Sequence, residues 1–220
     1  MAPQRHPLFE ILTEAAHGRP PAANGDLTIL PALPGGRHCV VAFTAHHVIA
    51  ADVSEEVIRQ RIDPSDLSQP LGANFLMFLA GWVGASPGPV DVVMTAPPAA
   101  EADDSLELWR HDDLHDQPRV QRAGRYRSQL AVYADRQHGQ PEGILVVGRG
   151  MAERWEMAYE VAPRARGHGL GRRLAAAACS LVHDGEPVFA QVSPGNVASL
   201  RACLAAGYRP LASEVLFTPH

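Results

Sequence analysis

The chain has 220 residues, of which 46% are apolar and 20% charged, and all 19 of its basic side chains other than histidine are arginine. That balance excludes a disordered chain, and no run of 18 apolar residues exists to cross a membrane as a helix. Residues 1–104 carry 5 Arg against 12 acids, and residues 105–220 carry 14 Arg against 12. Neither half has the basic excess of a nucleic-acid binder.

Met1 to His6 lead into an amphipathic stretch rather than an apolar signal core. Pro20-Pro21 and Pro34-Gly35-Gly36 punctuate a short apolar run from Leu27 to Leu33. Cys39 to Val53 is rich in β-branched residues and predicts a hairpin. Ser54 caps a short helix whose first turn carries Glu55 and Glu56. Leu71 to Val83 predicts a helix buried nearly all round, with Phe75, Phe78 and Trp82 in the core. Val90 to Met94 predicts a strand, and the aperiodic stretch Ala96–Asp104 a linker. The expected domains are therefore 1–104, a divergent α/β region on the acceptor or partner side, and 105–220. The strand–helix–strand order of the first also fits a degenerate copy of the second.

In the second half, Leu130–Tyr133 and Ile144–Val147 predict two strands around a turn holding Gly139 and Pro141. Arg154 to Val161 alternates as a third, with Trp155, Met157, Tyr159 and Val161 on one face and Glu156, Ala158 and Glu160 on the other. A glycine-rich turn leads into an alanine-rich helix over 170–182. A strand over 187–192, a helix over 196–206 and a last strand over 208–217 follow. The order β-β-β-α-β-α-β predicts a mixed α/β fold with a mostly antiparallel sheet. Cys39, Cys179 and Cys203 are odd in number and widely spaced, which argues against disulfides and zinc and fits a reducing cytoplasm.

The chemistry concentrates in Arg166-Gly167-His168-Gly169-Leu170-Gly171-Arg172, where a strand turns into a helix. Glycines let a ligand approach the backbone, and the open N–H groups of a new helix attract phosphate. Arg166 and Arg172 could add charge-assisted contacts. A Walker loop requires lysine, which the chain lacks. The glycine interval also departs from the dinucleotide fingerprint. His46-His47 and His111/His115 have no third partner at metal-ligand spacing.

The loop resembles the acyl-CoA signature of the GNAT superfamily of N-acetyltransferases, Gln/Arg-x-x-Gly-x-Gly/Ala. A second segment, Asn196-Val-Ala-Ser199-Leu-Arg-Ala-Cys203-Leu-Ala-Ala-Gly207-Tyr208, resembles that family's "N…A…Y-x-x-x-G-F" helix. The resemblance covers about residues 128–217. It implies acetyl transfer from acetyl-CoA to a primary amine by direct attack in a ternary complex, without a metal. A non-catalytic or regulatory acyl-CoA-binding module is the alternative, and a homodimer fits either. Backbone N–H groups from Gly167 through His168, Gly169, Leu170 and Gly171 to Arg172 would cradle the pyrophosphate. Val161 would pair with the pantetheine arm, Asn196 would orient that arm, and Ser199 would position a water or the thioester. Cys203 stands where the family has its tyrosine acid; a thiol of near-normal pKa could protonate the leaving thiolate, and packing explains it as well. For the general base the resemblance points to a carboxylate on or near this strand, with Glu160 ahead of Glu156 because it is nearer the loop.

Overall fold

A computed structural model of the chain describes residues 5–99, 106–182 and 185–219, so the expected boundary after residue 104 lies outside the described residues. Two compact units divide after Val93 and again before Leu211, so the last strand returns to the first unit. No helix among the described residues is long and apolar enough to cross a membrane.

In the first unit, α1 (Pro7–Ala16) starts where the His6 ring accepts from the Leu8 amide. Strand β1 (Leu27–Leu30) runs parallel to β3 (His46–Ala50), which pairs antiparallel with β2 (His38–Phe43). The hairpin expected over 39–53 is thus β2 and β3. Short helix α2 (Glu55–Arg59) has its Val57 amide capped by Ser54. Helix α3 (Ala73–Val83) ends at Gly84, whose φ of 64° suits glycine. It is followed by β4 (Ala85–Pro87) and by β5 (Asp91–Ala96), which straddles the division between the units.

Ile58, Ile62, Phe75, Leu79 and Ala80 from the helical layer pack on Val40 and Ile49 from the sheet, with Val215 and Phe217 from the C-terminal strand. Helix α3 is not buried all round. Phe75, Leu76, Leu79 and Ala80 are buried, whereas Met77 is 63% and Trp82 53% exposed. One side of a 3.6-residue turn faces the sheet, and Trp82 falls on the other.

The second unit carries β6 (Trp109–Arg110), α4 (Pro118–Gly124), β7 (Ser128–Ala134), β8 (Gly143–Arg149) and β9 (Trp155–Val161). Next come α5 (Leu170–Leu181), β10 (Val188–Val192) and α6 (Val197–Ala205), and β11 (Arg209–Pro219) closes the chain. Strands β6 to β9 form an antiparallel meander, and β10 joins β9 in parallel. In the first unit β11 pairs antiparallel with β2 and β4. The class is the expected one, mixed α/β with mostly antiparallel pairing.

Helix α4 sets Val120 and Ala123 against Val132, Ile144 and Val146 on one face of the meander. Helix α5 covers the other face, and a Cβ on Gly143 would lie 3.1 Å from Leu170 and 3.0 Å from Leu174. Register then orients β9. Ala158 and Glu160 oppose Val146 and Ile144 on the α4 side, while Tyr159 and Met157 oppose Leu145 and Val147 on the α5 side.

Candidate active site

Strands β9 and β10 part company early. Their ladder pairs Val188 with Trp155 and Phe189 with Glu156, then ends, although β9 continues to Val161 and β10 to Val192. Strand β9 keeps its antiparallel partner β8 along its whole length. Its other edge, from Met157 onward, therefore presents backbone groups to the opening. An extended ligand could pair there as a strand would.

The glycine loop lies at the far end of β9. Arg166 donates through Nε to the Val161 carbonyl at 3.1 Å, tying the loop back to the strand end. Gly167 and Gly169 have φ of 83° and 78°, the left-handed region that disfavours side chains, and an added Cβ at either would meet open space. Gly169 is the N-cap of α5 and supplies no side-chain oxygen to the first turn. The helix thus begins with uncapped N–H groups beside exposed Arg166, His168 and Arg172, an arrangement suited to an anion. Leu170 is buried as an anchor, and Gly171 lies against the Tyr159 ring, 3.1 Å from where its Cβ would be.

Helix α6 closes the other side. Asn196 caps it, its side-chain oxygen accepting from the Ser199 amide at 3.2 Å. Cys203 is buried, and burial first of all pushes its thiol up to about 11. The near-normal pKa expected of it does not hold. Tyr208 anchors the segment by donating to the Ala175 carbonyl of α5 at 3.2 Å.

Tyr159, on β9, brings its phenol beside Ser199 and Cys203. The hydroxyl is shielded from solvent yet closes no hydrogen bond of normal geometry among the described residues. Burial raises its pKa, so it is a neutral phenol at physiological pH. Sequence reasoning placed Tyr159 on a strand face and gave it no chemistry. The nearness of Tyr159 to Ser199 and Cys203 comes from helix α6 packing over β9, which no local pattern in the sequence shows.

The two strand carboxylates have different surroundings. Glu156 is 1% exposed. Its Oε1 lies 2.9 Å from Arg154 Nε and accepts from the Met151 amide and Gln191 Nε2 at 3.1 Å; Arg127 Nε stands 2.9 Å from Oε2. Burial pushes the carboxyl up, but Arg127 and Arg154 outweigh it and hold the group below the usual carboxylate range. A charge held this firmly is a poor proton acceptor, and Glu156 acts as a structural ion. Gly150 makes room for it, since a Cβ there would fall 2.1 Å from the Glu156 carboxyl carbon. Glu160, on the same face, is half exposed and its Oε2 lies 3.8 Å from Arg119 Nε. Arg119 is a second residue that sequence reasoning missed; it comes from α4, 41 positions earlier in the chain.

The paired histidines have other tasks. His46 bonds Thr28 and Asn24 through its two ring nitrogens, and His111 bonds Asp113 and the Arg136 carbonyl.

No protein-family model matches the chain, and no curated protein matches it in sequence. Similar solved structures exist. A GCN5-related N-acetyltransferase from Kribbella flavida is 16% identical, with a TM-score of 0.45, over 64% of this chain and 62% of its own. A GNAT-family acetyltransferase from Colwellia psychrerythraea is 11% identical, with a TM-score of 0.44, over 78% and 75%. A tandem GNAT protein from the clavulanic acid biosynthesis pathway is 18% identical, with a TM-score of 0.40, over 64% and 57%. The match spans less than two thirds of the Kribbella protein's length.

Proposed function

We propose that the second unit binds acetyl-CoA in the opening between β9 and β10 and transfers the acetyl group to a primary amine. One observation carries this reading: the early end of the β9–β10 ladder leads straight to an uncapped, glycine-lined helix start. The backbone amides from Gly167 to Arg172 receive the pyrophosphate, with Arg166 and Arg172 as exposed counter-charges. The free edge of β9 up to Val161 pairs with the pantetheine amides, which places the thioester towards α6. Asn196 serves through the helix it caps, and Ser199 faces the same space as the Tyr159 phenol.

The amine nitrogen attacks the thioester carbonyl, the carbon–sulfur bond breaks, and the sulfur leaves with the electron pair. Glu160 takes the proton from the nitrogen, directly or through water, because its carboxylate is open on the strand face where Glu156 is locked. Tyr159 supplies a proton to the departing sulfur. Its phenol is neutral and stands beside Ser199, whereas the Cys203 thiol is a small buried neighbour.

Calorimetric titration of the full chain with acetyl-CoA tests the binding half. Saturable binding that weakens about tenfold in Arg166→Ala/Arg172→Ala is the expected result, each lost charged contact being worth about 0.7 kcal/mol. Unchanged affinity in that variant overturns the assignment of the loop. Free-thiol release across a panel of amines tests the transfer half. Binding without release over the panel would favour the non-catalytic acyl-CoA module.

A further inference from the structure

The first unit contains a cavity of its own, about 180 Å³, room for roughly six waters at ~30 Å³ each. Leu27, Ile62, Leu67 and Pro70 supply apolar walls, and Asp26, His47, Arg59, Asp63 and Asp66 supply its polar groups. Register shows how His47 comes to line it. His47 pairs with Leu27 in the parallel ladder and so shares its face, and Leu27 packs against the cluster that contains Ile58 and Ile62. The side chain therefore points from β3 towards the same helical layer that walls the cavity. His47 is 5% exposed, and its ring forms no hydrogen bond among the described residues. Neighbouring His46, by contrast, has both ring nitrogens engaged. The place of His47 in the lining leaves its ring nitrogens to water or to a ligand in the cavity.

The charges select the ligand. Arg59 is the cavity's one arginine, and its guanidinium is already committed: Nε to Glu55 at 2.6 Å, one terminal nitrogen to Asp26 at 3.0 Å, the other to the Leu27 carbonyl at 3.3 Å. The carboxylates of Glu55 and Asp26 beside it offset its charge and leave none to draw in an anion. Asp63 and Asp66 each turn Oδ1 inward on a serine, Ser65 and Ser68, and those bonds hold both carboxyls below their ordinary range. Both aspartates stand in exposed turns on the cavity lining, within reach of a ligand in it. The lining is thus net anionic at neutral pH, with a neutral imidazole on its floor. No group of three or more His, Cys, Asp or Glu among the described residues is placed to hold a metal ion, which turns the choice to an organic cation.

We infer that this cavity binds a compact organic ammonium ion, its apolar body against Leu27, Ile62 and Leu67 and its N–H donors shared between His47 and the Asp63–Asp66 rim. The inference stands on the first unit alone and does not depend on acetyl transfer in the second.

Nuclear magnetic resonance of the full chain, with benzylammonium as probe and benzyl alcohol as its uncharged counterpart, tests it. The expected result is a saturable shift of the His47 ring signals by benzylammonium, with benzyl alcohol at least about fivefold weaker. Asp63→Asn/Asp66→Asn, in exposed turns where asparagine keeps the serine bonds, should weaken benzylammonium about threefold to tenfold, as loss of two exposed charges predicts. His47→Ala should weaken it by a similar factor. Absence of a saturable shift overturns the inference. So does equal affinity for the alcohol, or binding that neither substitution changes. Acetyl-CoA titration of the same samples keeps this outcome separate from the fate of the proposed transferase site.

Discussion

Glu156 and Glu160 stand on the same face of β9, four residues apart, in opposite circumstances. At the paired end of the strand, Glu156 is sealed among two guanidiniums, a backbone amide and Gln191. At the splayed end, Glu160 is half exposed with one arginine at 3.8 Å. The difference is made by what surrounds the strand. Where β10 stays in register with β9, the enclosure is complete and a carboxylate becomes a structural ion. Where the ladder has ended, the same residue type stays open to water. One strand thus carries an enclosed ion at one end and an open carboxylate at the other.

The comparison breaks most severely at Glu156. Glu156→Gln leaves two buried guanidiniums short of charge and should cost about 3–5 kcal/mol by urea denaturation. The pH dependence has a definite sign. A carboxyl whose folded pKa is depressed contributes stability that is fully present above its unfolded pKa and is lost as pH falls through the folded one. The stability gap between wild type and Glu156→Gln should therefore be widest near neutral pH and shrink as the pH falls through the ordinary carboxylate range and below it. A gap that is flat across that range would show that Glu156 is not the charged partner described.

Gly150→Ala attacks the same end sterically. Its Cβ would occupy the place of the Glu156 carboxyl, so a loss of about 3 kcal/mol is expected, and Glu156→Ala in the same background should recover part of it. Simple additivity of the two substitutions would count against this contact.

At the open end the effects should appear in turnover and leave the fold alone. Glu160→Gln should change stability by no more than about 0.5 kcal/mol and lower kcat for acetyl transfer about 10²-fold with acetyl-CoA affinity kept. If stability falls and turnover does not, the contrast along β9 is reversed. Tyr159→Phe sharpens the assignment further. A thiolate leaves readily without help, so kcat should fall only about tenfold, with Cys203→Ala smaller still. A larger loss in Cys203→Ala than in Tyr159→Phe would return the acid to the helix.

Much of this site was legible in the sequence because its signals are local. Glycines at 167, 169 and 171 mark a strand-to-helix turn whichever way the strand faces, and the positive φ at Gly167 and Gly169 is the property glycine alone provides cheaply. The alanine-rich helix after the loop and the alternation along β9 are set within a few residues of each position, so their elements appear where the pattern predicts. The full burial expected of α3 failed because apolar composition reports how much a helix can bury, and only packing decides which side does.

What tertiary structure alone decided is the environment of each charge. Arg127 and Gln191 reach Glu156 from 29 and 35 positions away, and Arg119 reaches Glu160 from 41. The last strand crosses back to pair with β2 in the first unit. Alternation put both glutamates on one face but carried no information about which would be enclosed. Ionisation energy depends on dielectric surroundings and charges within a few ångströms, and in a folded chain those neighbours are mostly distant in sequence.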